Sequence, residues 1–224
     1  MENNQSPLHI TLPIIDIGPF LADTTSDAGQ TCAKTLREAC HGPGFCYLEN
    51  YGIDPTLEKE VFDVAHRFFA LPESDRLAIK NTKSAQFRGY TGLGMEVTNK
   101  KQDWRDQIDF GPEKATVPVG PDDPPWLRLH GPNQWPAALP GFRDTMTEYF
   151  EAMNNLSGRI MEALALSLDL PRNFFDDFCR QPLSTLRLLH YPPQPPNPAP
   201  GEKGCGAHTD FGGVTVLLLD ENPG

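Results

Sequence analysis

From Phe142 onward, apolar residues fall at Phe142, Met146, Tyr149, Met153, Leu156, Ile160 and Leu164, always three or four apart. Sustained for about six turns, this period predicts one long helix from Phe142 to about Leu168 with a continuous face to bury. A stripe of that kind is packing, so its two methionines receive no functional role. After Gln181 the period disappears, and STLRLLHY, GAHTDFGG and VTVLLLD read as strands joined by a proline-rich loop. A chain with a long core helix followed by strands belongs to the α+β class.

The segments before the helix fit that class. LPIIDIGPFL reads as a short strand closed by a Gly-Pro turn, and GFCYLENYGI as a second, aromatic strand. Between them Cys32, Leu36 and Ala39 share a helical face until HGPG ends the run. After the second strand Asp54 can cap a helix with Pro55 in its first turn; Leu57, Val61, Val64 and Phe68 form its apolar stripe, and Pro72 lies beyond its end. A shorter helix is expected around NFFDDF.

Composition limits the function. The formal net charge of -11 repels phosphate backbones and anionic lipid, which argues against nucleic-acid or membrane partners. MENNQSPLHI lacks the basic and apolar parts of a secretory signal, and no apolar run reaches the ~20 residues of a membrane span, so a cytoplasmic location is expected. The 23 prolines among 224 residues, roughly twice ordinary usage, predict long irregular connections. Cys32, Cys40, Cys46, Cys179 and Cys205 include no close pair of the zinc or redox type and read as reduced thiols. Cys205 reads as a small residue that fits its place, with nothing in the sequence to activate it.

The chemistry concentrates in GCGAHTDFGG. On an extended chain, residues i and i+2 face the same way, so His208 and Asp210 can aim an imidazole nitrogen and a carboxylate oxygen at one point while Thr209 faces away. One imidazole and one carboxylate, completed by a second histidine, make the facial arrangement of non-haem Fe(II) oxygenases. Zinc hydrolysis is disfavoured, because neither HExxH nor a Cys/His cluster is present. GYTGLG and GFCYLENYG lack the glycine spacing of phosphate-binding loops.

LPIIDIGPF, REACHGPGFCYLENYGI, VFDVAHRFFALPESDRLAI, FRGYTGLG and LRLLHYPPQPP leading into GAHTDFGGVTVLLLD occur in one order along most of the chain. Together they resemble the isopenicillin N synthase-like, 2-oxoglutarate and Fe(II)-dependent dioxygenases. The resemblance implies a double-stranded β-helix, or jelly roll, with a helical and mixed N-terminal region, Fe(II) as cofactor, 2-oxoglutarate as co-substrate, and O2 with a small molecule as the other reactants. It implies an N-terminal region over 1–130, a long core helix and short helix over 131–180, and the beginning of the jelly roll over 181–224, truncated within it. His208 and Asp210 are then two iron ligands. The third histidine and the Arg-x-Ser element that binds 2-oxoglutarate would follow Gly224, so the 224 residues alone are expected to lack turnover.

Tyr191 and Arg187 share strand parity on STLRLLHY and are candidates for binding the co-substrate, as a phenol and a guanidinium that can hold a carboxylate. The resemblance places Tyr191 toward the active site and His190 on the opposite face. FRGYTGLGMEVTNKKQDWRDQIDFG resembles the loop edging the active-site mouth, where Glu96 is the candidate partner for a substrate amine. His9, His41, His66 and His130 are expected to be surface or internally satisfied residues. LRLLHYPPQ also looks like the microbial ethylene-forming branch, which uses 2-oxoglutarate; other relatives in the family do without it. An oxidase independent of 2-oxoglutarate and a catalytically incomplete chain acting through binding stay open on sequence.

Overall fold

A computed structural model describes residues 11–198, 202–210 and 212–222. His9 and the end of the proline-rich loop lie outside them. The chain divides into two compact units, one of residues 1–53 and 153–181, the other of residues 54–152 and 182–224.

In the first unit, β1 (Ile14–Asp16) and β2 (Tyr47–Glu49) pair in parallel with Ile15 opposite Leu48. The Gly-Pro element expected to be a turn starts a helix instead, α1 (Gly18–Ala22), because proline is tolerated in a first turn. The crossover between the strands is α2 (Asp27–His41), whose Ser26 hydroxyl accepts from Gly29 N at 3.1 Å. It buries Cys32, Ala33, Leu36 and Ala39, the face expected from the sequence. The long helix α5 (Phe142–Ser167) supplies its second half to this unit and ends where Asp169 turns left-handed. Arg159 of α5 lies over the Phe20 ring, and Arg37 donates to the Ser167 carbonyl at 2.5 Å. A short helix α6 (Asp176–Cys179) follows.

The second unit holds α3 (Pro55–Phe69), capped by Asp54 through a 2.8 Å bond from Thr56 N, and α4 (Glu73–Ala78). The four buried residues of α3 are Leu57, Val61, Val64 and Phe68, as its spacing predicts. Behind them stands an antiparallel sheet in the order β3 (Gly89–Thr91), β6 (Asp106–Phe110), β7 (Leu186–His190). The register sets Ile108 opposite Tyr90 on one side and Leu188 on the other. A two-stranded ribbon of β4 (Val97–Thr98) and β5 (Lys101–Gln102) precedes β6. The segment read as a loop therefore contains four strands. β7 comes from the last part of the sequence and β3 and β6 from the first, so these two parts share one sheet.

Ile108 and Phe110 face the aromatic core, where the Phe110 ring sits 5.0 Å from Trp135 and 6.0 Å from Phe142, and Phe142 sits 5.6 Å from Phe68. Each of these phenylalanines is at most 2% exposed and contributes roughly 2–3 kcal/mol of burial. Gly89 makes the FRGY turn sterically feasible: its φ is +114°, and a Cβ there would meet the Ile79 carbonyl oxygen at 2.2 Å.

GAHTDFGG and VTVLLLD were expected to be strands. Among the described residues neither forms a ladder; the bridge between Asp103 and Lys203 lies just before the first of them. The chain is nevertheless extended in its burial pattern, with Val214, Val216 and Leu218 half-buried and Thr215, Leu217 and Leu219 exposed. The period-2 signal is present, but a strand is completed by hydrogen bonds from a neighbour, and this segment has none in place. Among the described residues no helix is long and apolar enough to cross a membrane.

Candidate metal centre

The site is assembled on the odd-numbered face of β6 and the residues leading into it. Asp103, 1% exposed, receives three groups: Thr98 Oγ1 at 2.7 Å, Arg105 Nη2 at 3.2 Å and the backbone N–H of Gly206 at 2.9 Å. The last of these fastens the His208 segment to the strand. Asn99 Nδ2 adds a 2.7 Å bond to the Ala207 carbonyl, and Trp104 donates from its backbone to Lys203 and from its indole to Pro193. Three hydrogen bonds, at Lys203, Gly206 and Ala207, thus hold an irregular segment that makes no sheet ladder.

Within it, His208 Nδ1 lies 2.8 Å from the Gly206 carbonyl oxygen. A carbonyl only accepts, so Nδ1 carries the hydrogen and Nε2 presents its lone pair. Nε2 in turn lies 3.0 Å from Asp210 Oδ1. Two lone pairs at that separation repel unless a proton or a cation lies with them. The donor set and the fixed tautomer fit a divalent iron, which takes a neutral imidazole and a carboxylate oxygen. Both side chains are about half exposed, so ligands have access. Among the described residues no group of three or more His, Cys, Asp and Glu converges on one point.

Tyr191 packs against the same segment at Gly204. A Cβ on Gly204 would meet its ring at 2.8 Å, and its phenol bonds the Arg105 guanidinium. Burial disfavours the Arg105 cation, but Tyr191, Cys205 and Asp103 outweigh that penalty, and its pKa is held above the ordinary arginine value. Arg105 Nη1 also touches Cys205 Sγ at 3.3 Å, and that sulfur lies 3.5 Å from His208 Nδ1. Cys205 therefore has a guanidinium and an imidazole for neighbours, where the sequence offered no polar company for it.

Arg187 and Glu96 are placed farther along the same face and touch neither His208 nor Asp210. Arg187 Nε pairs with Asp109 Oδ1 at 2.5 Å; Asp109 Oδ2 accepts from Gln107 Nε2 at 2.9 Å; and Gln107 Nε2 reaches Glu96 Oε1 at 3.4 Å. His190 is on the other face, as the strand parity requires. Its Nδ1 lies 2.7 Å from Asp106 Oδ1 and its ring stacks on Phe69 at 4.8 Å.

Residues 12–138 match the family model described as the non-haem dioxygenase in morphine synthesis N-terminal. The chain belongs to the isopenicillin N synthase-like 2-oxoglutarate/Fe(II)-dependent dioxygenase family. Among curated relatives, it is 37% identical over 221 residues to the 2-oxoglutarate-Fe(II) type oxidoreductase hxnY of Emericella nidulans, covering 95% of this chain and 62% of that protein. A homoarginine-6-hydroxylase of Arabidopsis thaliana is 35% identical over 94% of this chain and 59% of its own length. The chain thus spans about three-fifths of these relatives. Among solved structures, a full-length Neurospora crassa protein crystallised with alpha-KG and thymine has 29% identity and a TM-score of 0.67 over 84% of this chain and 57% of that one.

For this family member the sequence reading named His208, Asp210, Tyr191, Arg187 and Glu96 but missed Asp103, Arg105, Gln107 and Asp109. The signal was there: in DWRDQIDF every odd position is polar and, Asp106 apart, every even one is apolar, an alternation that marks a strand with one polar face. Reading the stretch as loop concealed it.

Proposed function

We propose that His208 and Asp210 are two protein ligands of an Fe(II) centre in an oxygenase that uses 2-oxoglutarate and O2 to oxidise a small molecule. The observation that carries this is the 3.0 Å approach of His208 Nε2 to Asp210 Oδ1 with the imidazole tautomer fixed by Gly206. Iron with 2-oxoglutarate, when bound, supplies the oxidising chemistry. The chain's own residues hold the imidazole in its metal-binding tautomer, keep the segment against β6 through Asp103, and set polar groups around the space in front of it.

Tyr191 is the nearer of the two co-substrate candidates, since it shares Arg105 and Gly204 with the His208 segment. Arg187 takes part through Asp109, whose carboxylate already holds its Nε. Glu96 closes the same polar row and contacts substrate from there. In this reading the jelly roll begins at β7, with β3 and β6 of the N-terminal region joined to its sheet, and the extended Val214–Leu219 segment is a later strand of it.

Anaerobic Fe(II) titration of the full chain tests the assignment. Asp210→Ala should bind at least tenfold more weakly, because removing one of few ligands removes a charge as well as a bond. Equal affinity in the two proteins would take Asp210 out of the site.

A further inference from the structure

A strand buried on both faces is ordinarily apolar on both. β6 is not. Ile108 and Phe110 enter the aromatic core and Asp106 is engaged by Arg76, Tyr90 and His190, while the odd face, equally enclosed, carries Gln107 at 0% and Asp109 at 8% exposure, with Arg105 at 7% just before the strand. Arg88 extends the row, its guanidinium resting where a Cβ on Gly111 would lie. A buried polar row is stable only if its groups are satisfied, and this one is incomplete: Gln107 Oε1, Arg105 Nε and Arg88 Nε have no partner among the described residues.

The Gln107 orphan is the most informative of the three. Its amide nitrogen faces two carboxylates, Asp109 at 2.9 Å and Glu96 at 3.4 Å. Reversing the amide would set its oxygen against both anions, so the orientation is fixed and the unpartnered atom is the acceptor. The charges nearby are balanced. Arg187 pairs with Asp109 and Arg105 with Asp103; burial disfavours the Arg88 cation, which Asp109 only partly offsets, and Glu96 beside Gln107 makes three acids for the three arginines. Such a surface has no net charge to offer a charged ligand, whose desolvation would go uncompensated.

The row leads to the proposed iron ligands, since Arg105, two residues before Gln107 on the same face, reaches His208 through Cys205. Resting on the oxygenase reading above, we infer that Gln107 determines substrate specificity by accepting a hydrogen bond from the N–H of an uncharged amide, lactam or imide. Arg105 Nε and Arg88 Nε are unpartnered donors in the same buried row, of the kind the carbonyl oxygens accompanying such an N–H would take.

Succinimide and N-methylsuccinimide are neutral probes that differ only in the replacement of N–H by N–CH3, and the Gln107→Met variant separates the lost hydrogen bond from the added methyl. Saturation-transfer NMR on the full chain, read as dissociation constants, should show succinimide binding about tenfold more tightly, the worth of one hydrogen bond to an otherwise orphaned group. The preference should vanish in Gln107→Met, and in Gln107→Asn, which withdraws the acceptor while keeping the amide. Equal binding of the two probes, or no binding of either, overturns the inference without any variant. So does a preference that survives in either folded variant. Because the readout needs no iron, a chain that discriminates the probes yet fails the Fe(II) titration would sink the oxygenase reading and leave the Gln107 subsite standing.

Discussion

Asp106→Asn should be among the most damaging conservative substitutions in the chain. The Asp106 side chain is 3% exposed and serves three groups: Arg76 Nη1 at 2.8 Å and the Tyr90 hydroxyl at 2.7 Å on Oδ2, and His190 Nδ1 at 2.7 Å on Oδ1. Burial, followed by its bond to Asp106, pushes the Tyr90 phenol far above its ordinary pKa, so it stays a neutral donor. Asparagine preserves the shape and can present an oxygen to Arg76 and an N–H to the imidazole. It removes the charge, and Arg76, only 19% exposed, is left without a counterion. Breaking a buried pair from one side costs about 3–5 kcal/mol, and the bonds asparagine retains place this case near 3. With a urea m value of about 2–3 kcal/mol/M, the unfolding midpoint should fall by about 1 M. All three tryptophans, Trp104, Trp126 and Trp135, lie in the unit holding the network, so their fluorescence reports its unfolding. Adding Arg76→Met should recover about 1 kcal/mol or more, since the stranded charge goes with it. A loss under about 1 kcal/mol for Asp106→Asn, or strict additivity of the pair, would refute the stranded-charge argument.

Tyr191→Phe should weaken 2-oxoglutarate binding, measured calorimetrically with a redox-inert divalent metal, with little effect on stability. His190→Gln, whose amide can still donate to Asp106 and so keep β7 anchored, should do the reverse, removing the stacking on Phe69 at a cost of about 1 kcal/mol in urea unfolding and leaving 2-oxoglutarate affinity unchanged. Gly89→Ala should destabilise by several kcal/mol or abolish folding, because its Cβ has nowhere to go beside the Ile79 carbonyl; soluble protein with an unchanged melting temperature would contradict that contact. Ser26→Ala should cost about 1 kcal/mol through the lost cap of α2, with Ser26→Asp restoring it.

How much of this was readable beforehand depends on whether the deciding interaction is local. The faces of α2, α3 and α5, and the Asp54 cap, follow from spacing and turn chemistry within a few residues. The pairing of β6 with β3 and β7 does not, because it joins positions up to 84 apart in the sequence, as in the bond from His190 to Asp106. Asp106 alone looks like a surface acid; only the register brings Arg76, Tyr90 and His190 onto it. His208 and Asp210 were legible because an i, i+2 pair needs no partner strand to share a face. Their expected strand was not formed, since ladder bonds belong to two segments and a periodic pattern describes one.

The two faces of β6 explain why structure and chemistry meet on this strand. Asp106 on one face ties β7 down through His190, and the next residue, just past the end of β7, is Tyr191, which bonds Arg105 on the opposite face. The buried ion cluster therefore fixes the position from which Tyr191 and Arg105 meet the His208 segment. Asp103 does the same from the strand's entrance, holding Gly206 two residues before His208. A loosening of either anchor should be felt first as a loss of precision at His208 and Asp210, before the aromatic core gives way. The order can be observed: at subdenaturing urea, Asp106→Asn should lose Fe(II) affinity while its tryptophan fluorescence is still native, whereas the unsubstituted chain should lose both together.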